Sequence, residues 1–190
     1  MEPKLPNPFM PSAILVAVIF AFASTVVNLI ATYNIIGSEP SGSLISPIYF
    51  VTGIVCLVAI FAGLFAVKHH VNMYNEPLQM GRGAVIGLTT GALVAVFMAI
   101  FSLMWYLVDP GFNTKVMNAV IAQMEAIQQI PAAQKQEIID GIYTQFQKAD
   151  TTMGRITSTL WNVFIFGGLN AITGILGVKF FAPKDNSNEL

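Results

Sequence analysis

Charge is what this sequence has least of. Only 10% of its 190 residues are Asp, Glu, Lys or Arg, against ~25% in ordinary soluble domains. A soluble domain of this length needs charge to stay dissolved, so that class is excluded. Nine basic and ten acidic residues leave a net charge of −1, which provides no basic field for nucleic acid. The single cysteine, Cys56, can form neither an internal disulfide nor a four-cysteine zinc site, and says nothing about redox compartment. The two histidines, His69 and His70, are adjacent; on a helix they point ~100° apart, a poor chelating pair. There is no P-loop, HExxH or GxSxG motif, and Gly81-Arg82-Gly83 is too short for a phosphate loop. No residue therefore stands out as catalytic, cofactor-binding or metal-ligating. The expectation is a protein that is not an enzyme and carries no cofactor.

What the sequence does contain is apolar: 55% of its residues are hydrophobic, with a mean hydropathy of +0.67. Four runs, 11–36, 47–67, 84–108 and 156–178, reach the ~20 residues that a helix needs to cross a bilayer core ~30 Å thick. They predict an all-α, polytopic membrane protein, a single integral membrane domain over 1–190 with four transmembrane helices. Pro11 and Pro47 suit the first turn of a helix, where a missing N–H costs nothing. Ser46 is a natural N-cap. Pro77 suits a polar lead-in to the third span, and Gly37, followed by Ser38, Glu39 and Pro40, ends the first. Lys4, an apolar stretch and Ala21-Phe22-Ala23 resemble a signal peptide, but apolar character continues to Ile36, beyond a normal signal core.

Small residues indicate how spans pack, because lipid tails give helices no hydrophobic reason to associate. Ala17, Ala21, Ser24, Asn28 and Ala31 recur at steps of four and three, as do Thr52, Cys56, Ala59, Gly63 and Ala66. Both read as heptad seams of an antiparallel pair. Gly83, Gly87, Gly91, Ala95 and Ala99 are spaced strictly by four, a ridge for close helix crossing. That ridge serves either packing within the bundle or a homodimer. Asn28, Asn162, Asn170 and Thr173 place amides and a hydroxyl within spans. They read as hydrogen bonds between helices, or alternatively as a polar cavity for a substrate. Ion-coupled transport usually requires ionisable groups inside the membrane, whereas Lys68, Asp109, Arg155 and Lys179 fall at span ends.

Between the third and fourth spans lies a polar insert, about 112–154. Trp105-Tyr106 marks a membrane interface and Asp109-Pro110-Gly111 a turn. Val116, Val120, Met124 and Ile127, widened by Met117 and Ile121, form one helical stripe. Pro131 breaks it and suits the first turn of a second helix, striped by Ile138, Ile139, Ile142 and Phe146. The insert reads as an amphipathic helical hairpin that folds over the bundle, lies at the interface or docks a partner. Its Gln-rich polar faces argue against attraction by anionic lipid. Lys4, Lys68, Arg82, Lys179 and Lys184 crowd the two termini and the second loop. The insert dilutes Lys115, Lys135, Lys148 and Arg155 over a longer stretch. The positive-inside rule then places both termini in the cytoplasm and the hairpin outside a bacterial inner membrane.

The stretch Met80-Gly81-Arg82-Gly83-Ala84-Val85-Ile86-Gly87, the exit Tyr106-Leu107-Val108-Asp109-Pro110-Gly111-Phe112 and the hairpin resemble domain-of-unknown-function family 4199, small membrane proteins found mainly in Bacteroidota. The resemblance implies a location and a shape but supplies no catalytic residue, since the family has no assigned activity. The hairpin here is less charged than the resemblance leads one to expect. Two functions stay open: a non-enzymatic membrane protein that engages another envelope protein or a second copy, and a small transporter or lipid-binding protein with a site between its helices.

Overall fold

The computed structural model describes residues 8–42 and 47–183, the side chains of 47–49 excepted. Lys4, Ser46 and Lys184 lie outside the described residues. The described chain is all-helical, and four of its helical stretches are long and apolar enough to cross a membrane: Met10–Gly37, Phe50–Tyr74, Met80–Val108 and Thr152–Phe181. The first is helix α1 (Met10–Gly37), with Pro11 in its opening turn. The second span consists of α2 (Pro47–Ile60) and α3 (Ala62–Tyr74), which meet at Phe61. Then follow α4 (Met80–Val108), the hairpin helices α5 (Phe112–Ala126) and α6 (Ala132–Asp150), and α7 (Thr152–Phe181).

The spans are longer than the apolar runs alone suggest. α3 continues through Lys68, His69 and His70 to Tyr74, where Asn75 adopts a left-handed conformation (φ 46°) that ends it. α4 starts at Met80, so Pro77 lies in the link that leads into it. α7 starts at Thr152, whose predecessor Thr151 accepts a hydrogen bond from the Gly154 N–H as a side-chain N-cap. Pro131 stands just before α6 rather than in its first turn.

α4 and α7 form the closest pair. The ridge read from the sequence faces α7: a Cβ on Gly83 would run into Val178, one on Gly87 into the Asn170 carbonyl, and one on Gly91 into the Phe166 carbonyl. Gly174 of α7 approaches the Gly83 backbone equally closely. This crossing therefore spends the ridge inside the bundle. The seam of α1 is buried at Ala17, Ala21 and Ser24, while Asn28 and Ala31 are half-buried. The second-span seam is buried at Ala59, Gly63 and Ala66, but its far end at Thr52 is exposed. α1 packs against α4 as well as against α2 and α3.

The hairpin is docked unequally. α5 lies on the α1–α2 connection, where the Gln123 side chain accepts from the Ser41 N–H at 3.1 Å and from its hydroxyl at 3.2 Å. Gly42 takes a positive φ of 63°, and a Cβ there would sit 2.8 Å from the Ala126 carbonyl. Ile121, Gln123 and Ile127 are buried, so the face of α5 that docks includes an amide the apolar stripe did not single out. On α6 only Ile139 is buried. Charge holds its ends: Lys135 donates to the Glu125 carbonyl, and Asp150 pairs with Arg155. Replacing Ile139 with Asp is expected to free α6 while leaving α5 in place, because the new carboxylate would have no partner in the one buried position. Hydrogen exchange should accelerate across 132–150 and stay slow across 112–126; equal acceleration in both would show that the hairpin docks as one unit.

Candidate functional site

Three polar loci lie on this scaffold. The deepest is Asn170, fully enclosed at the point where α3, α4 and α7 meet. Its side-chain oxygen accepts from the Gly63 N–H at 2.6 Å, and its amide donates to the Ala59 carbonyl at 3.1 Å and the Phe166 carbonyl at 2.9 Å. Gly63 N–H and Ala59 C=O are the pair that an unbroken helix would join to each other. The amide is inserted between them, and Thr173 donates to the next carbonyl, Ile60, at 2.7 Å. A side chain entering the backbone ladder is a recognised cause of a helix break, which accounts for the interruption at Phe61. Asn170 and Thr173 thus bond helix to helix, the first of the two readings that sequence left open. They line no cavity with Asn162, which is exposed on another side of α7.

At the end of the bundle where α1 begins and α7 ends, His70 is fully buried and its Nε2 lies 2.9 Å from Glu76 Oε1. Arg82 reaches the same oxygen at 2.9 Å. A carboxylate paired with arginine only accepts, so His70 Nε2–H is the donor. His69 points elsewhere, with Nδ1 2.9 Å from the Ser12 hydroxyl. The two histidines therefore diverge as helical geometry requires, but His70 is more than a helix-end anchor: it ties α3, the following link and α4 together. Among the described residues no three His, Cys, Asp or Glu side chains gather into a metal-binding group.

At the hairpin end, the Tyr33 hydroxyl donates to Asp109 at 2.6 Å and Lys115 bridges both oxygens of that carboxylate at 3.0 and 2.8 Å. The hydrogen bond from Lys115, then that from Tyr33, holds the Asp109 carboxyl below its usual range, and Asp109 in turn holds the Lys115 ammonium above its own. Beside this cluster a largely apolar groove of about 520 Å³ opens between α1 and α4, lined by Val26, Leu29, Ile30, Tyr33, Asn34 and Trp105. It is an open groove on the outer face of the bundle rather than an enclosed cavity.

Residues 12–178 match the family model described as Protein of unknown function (DUF4199). The chain belongs to this family. The DUF4199 match runs from the first turn of α1 almost to the end of α7, so all four spans and the hairpin belong to the family unit, as the resemblance of the Gly-rich third span and its Asp-Pro exit indicated. No curated protein and no solved structure matches the chain.

Proposed function

We propose that this DUF4199 protein is a non-enzymatic accessory protein of a bacterial cytoplasmic membrane, with both termini inside and α6 of its external hairpin offered to another envelope protein. Orientation rests on the basic residues: Lys68, Arg82 and Lys179 lie toward the end of the bundle where α1 begins and α7 ends. The observation that carries the reading is the unequal docking of the hairpin. α5 is fixed to the bundle by Gln123 and by its contact at Gly42, whereas α6 buries one side chain and leaves Ile138 and Tyr143 about 40% exposed (38% and 40%). A second reading, a lipid-binding protein, is favoured by the groove at Tyr33 and Trp105. Transport through the bundle is disfavoured because α4 and α7 meet backbone to backbone along Gly83, Gly87 and Gly91.

A Tyr143→Cys variant in a Cys56→Ala background tests the first reading. In intact cells it is expected to react with a membrane-impermeant thiol cross-linker and to yield one stoichiometric adduct with another protein. Failure to react would reject the orientation. Reaction without an adduct, together with a lipid retained on purification, would move the assignment to the groove.

A further inference from the structure

The exposed side of α7 contains an anomaly. Asn162 is exposed and makes no hydrogen bond among the described residues. The crossing of α4 and α7 fixes its depth: Gly83 meets Gly174, Gly87 meets Asn170 and Gly91 meets Phe166. Continuing that antiparallel register sets Asn162 level with Ala95. Ala95 lies between Arg82 and the interfacial pair Trp105-Tyr106, roughly 15–20 Å from either at ~1.5 Å per residue. Along α7 itself Asn162 lies ~10 Å inside Arg155, which stacks on the interfacial Tyr106, and ~25 Å from Lys179; it faces the hydrocarbon of the hairpin-side half of the membrane, where an amide finds little water.

The residues around it are ordered. Ser158, Asn162, Ile165, Leu169, Ile172 and Leu176 follow steps of four and three, and all are exposed except the half-buried Leu169. At ~100° per residue this seam is centred roughly 120° from the face that carries Asn170 into the bundle. Its pattern is that of a coiled-coil core with one asparagine, the device that fixes register between associating helices.

We propose that α7 pairs with α7 of a second copy of this chain along this seam, with the two Asn162 amides hydrogen-bonded to each other within the hairpin-side half of the membrane. A carboxamide both donates and accepts, so two related by a twofold axis satisfy each other without any other group. A lipid chain offers nothing to the amide at that depth. The α4 glycine ridge cannot serve this purpose, because α7 of the same chain already fills it.

The test uses the full chain with Cys56→Ala, reconstituted in phosphatidylcholine–phosphatidylglycerol vesicles over a wide range of protein-to-lipid ratios. Single-molecule photobleaching is expected to show dimers. Asn162→Val is expected to weaken association about tenfold, as loss of a membrane-buried amide pair would, with helix content and thermal unfolding of the monomer unchanged. Oxidation is expected to join Ile165→Cys chains and not Phe164→Cys chains, since Phe164 lies on the other side of the helix. Monomers at every ratio, equal cross-linking at both positions, or undiminished association of Asn162→Val would each overturn the proposal. So would capture of a different protein at Ile165→Cys in native membranes in place of a second copy.

Discussion

Replacing Gly87 with leucine is expected to prevent α4 and α7 from closing on each other. Even the first carbon of a side chain at Gly87 would occupy the space of the Asn170 carbonyl and crowd Ala171. Both obstacles are backbone, so no rotamer change relieves them. Gly87→Ala should already cost about 1–3 kcal/mol, the usual range for overpacking, and the longer leucine should exceed that range. The loss extends beyond the pair, because the Asn170 carbonyl sits between Gly87 on one side and Gly63 on the other. Separating α4 from α7 therefore also disturbs α3. Thermal unfolding in detergent, or steric trapping in bicelles, would measure the effect. Gly168→Ala is the matched control: nothing lies within 4 Å of a Cβ at that position, and the intrinsic helical preference for alanine predicts a small gain, up to about 1 kcal/mol. Equal tolerance at Gly87 and Gly168 would mean that the crossing is looser than its backbone contacts require.

The contrast between these glycines marks what sequence can convey. A four-residue ridge states that some backbone comes close, because only that use makes repeated small residues informative. It does not state whose backbone. Periodicity assigns a face to Gly87, and the partner of that face is 83 residues away at Asn170. The four spans are legible because length and hydropathy are local properties. The break in the second span is not, since Ala59 to Gly63 contains no proline and reads as an unbroken apolar run. The cause of the break lies on another helix. The same holds at His70. Its position after Lys68 suggests a helix end reaching water, yet α3 runs another turn to Tyr74 and the link returns Glu76 to its Nε2. Asn162 and Asn170 differ in the opposite sense. Both are asparagines in one apolar run, and only the register of α7 against α4 tells the enclosed amide from the exposed one.

Asn170→Leu is expected to cost on the order of 3 kcal/mol, because it would strand two buried backbone groups at about 1–3 kcal/mol each. Those groups are the Gly63 N–H and the Ala59 carbonyl, which the amide now serves in place of each other. Hydrogen bonds between membrane helices average only ~0.6 kcal/mol by double-mutant cycles, which sets the competing expectation. The smaller value would apply if α2 and α3 could straighten and let Gly63 bond Ala59 directly. Two features resist that repair. Thr173 still holds the Ile60 carbonyl at 2.7 Å, which blocks the neighbouring rung, and leucine would crowd the gap that the planar amide fills. Thr173→Val should therefore be mild alone, since it strands one carbonyl, and should reduce the cost of Asn170→Leu when the two are combined, because one of the two obstacles to closing the ladder would be gone. A double-mutant cycle on unfolding free energies would decide the matter. Costs that simply add would show that the break at Phe61 persists without either side chain, and that the amide follows the break rather than makes it.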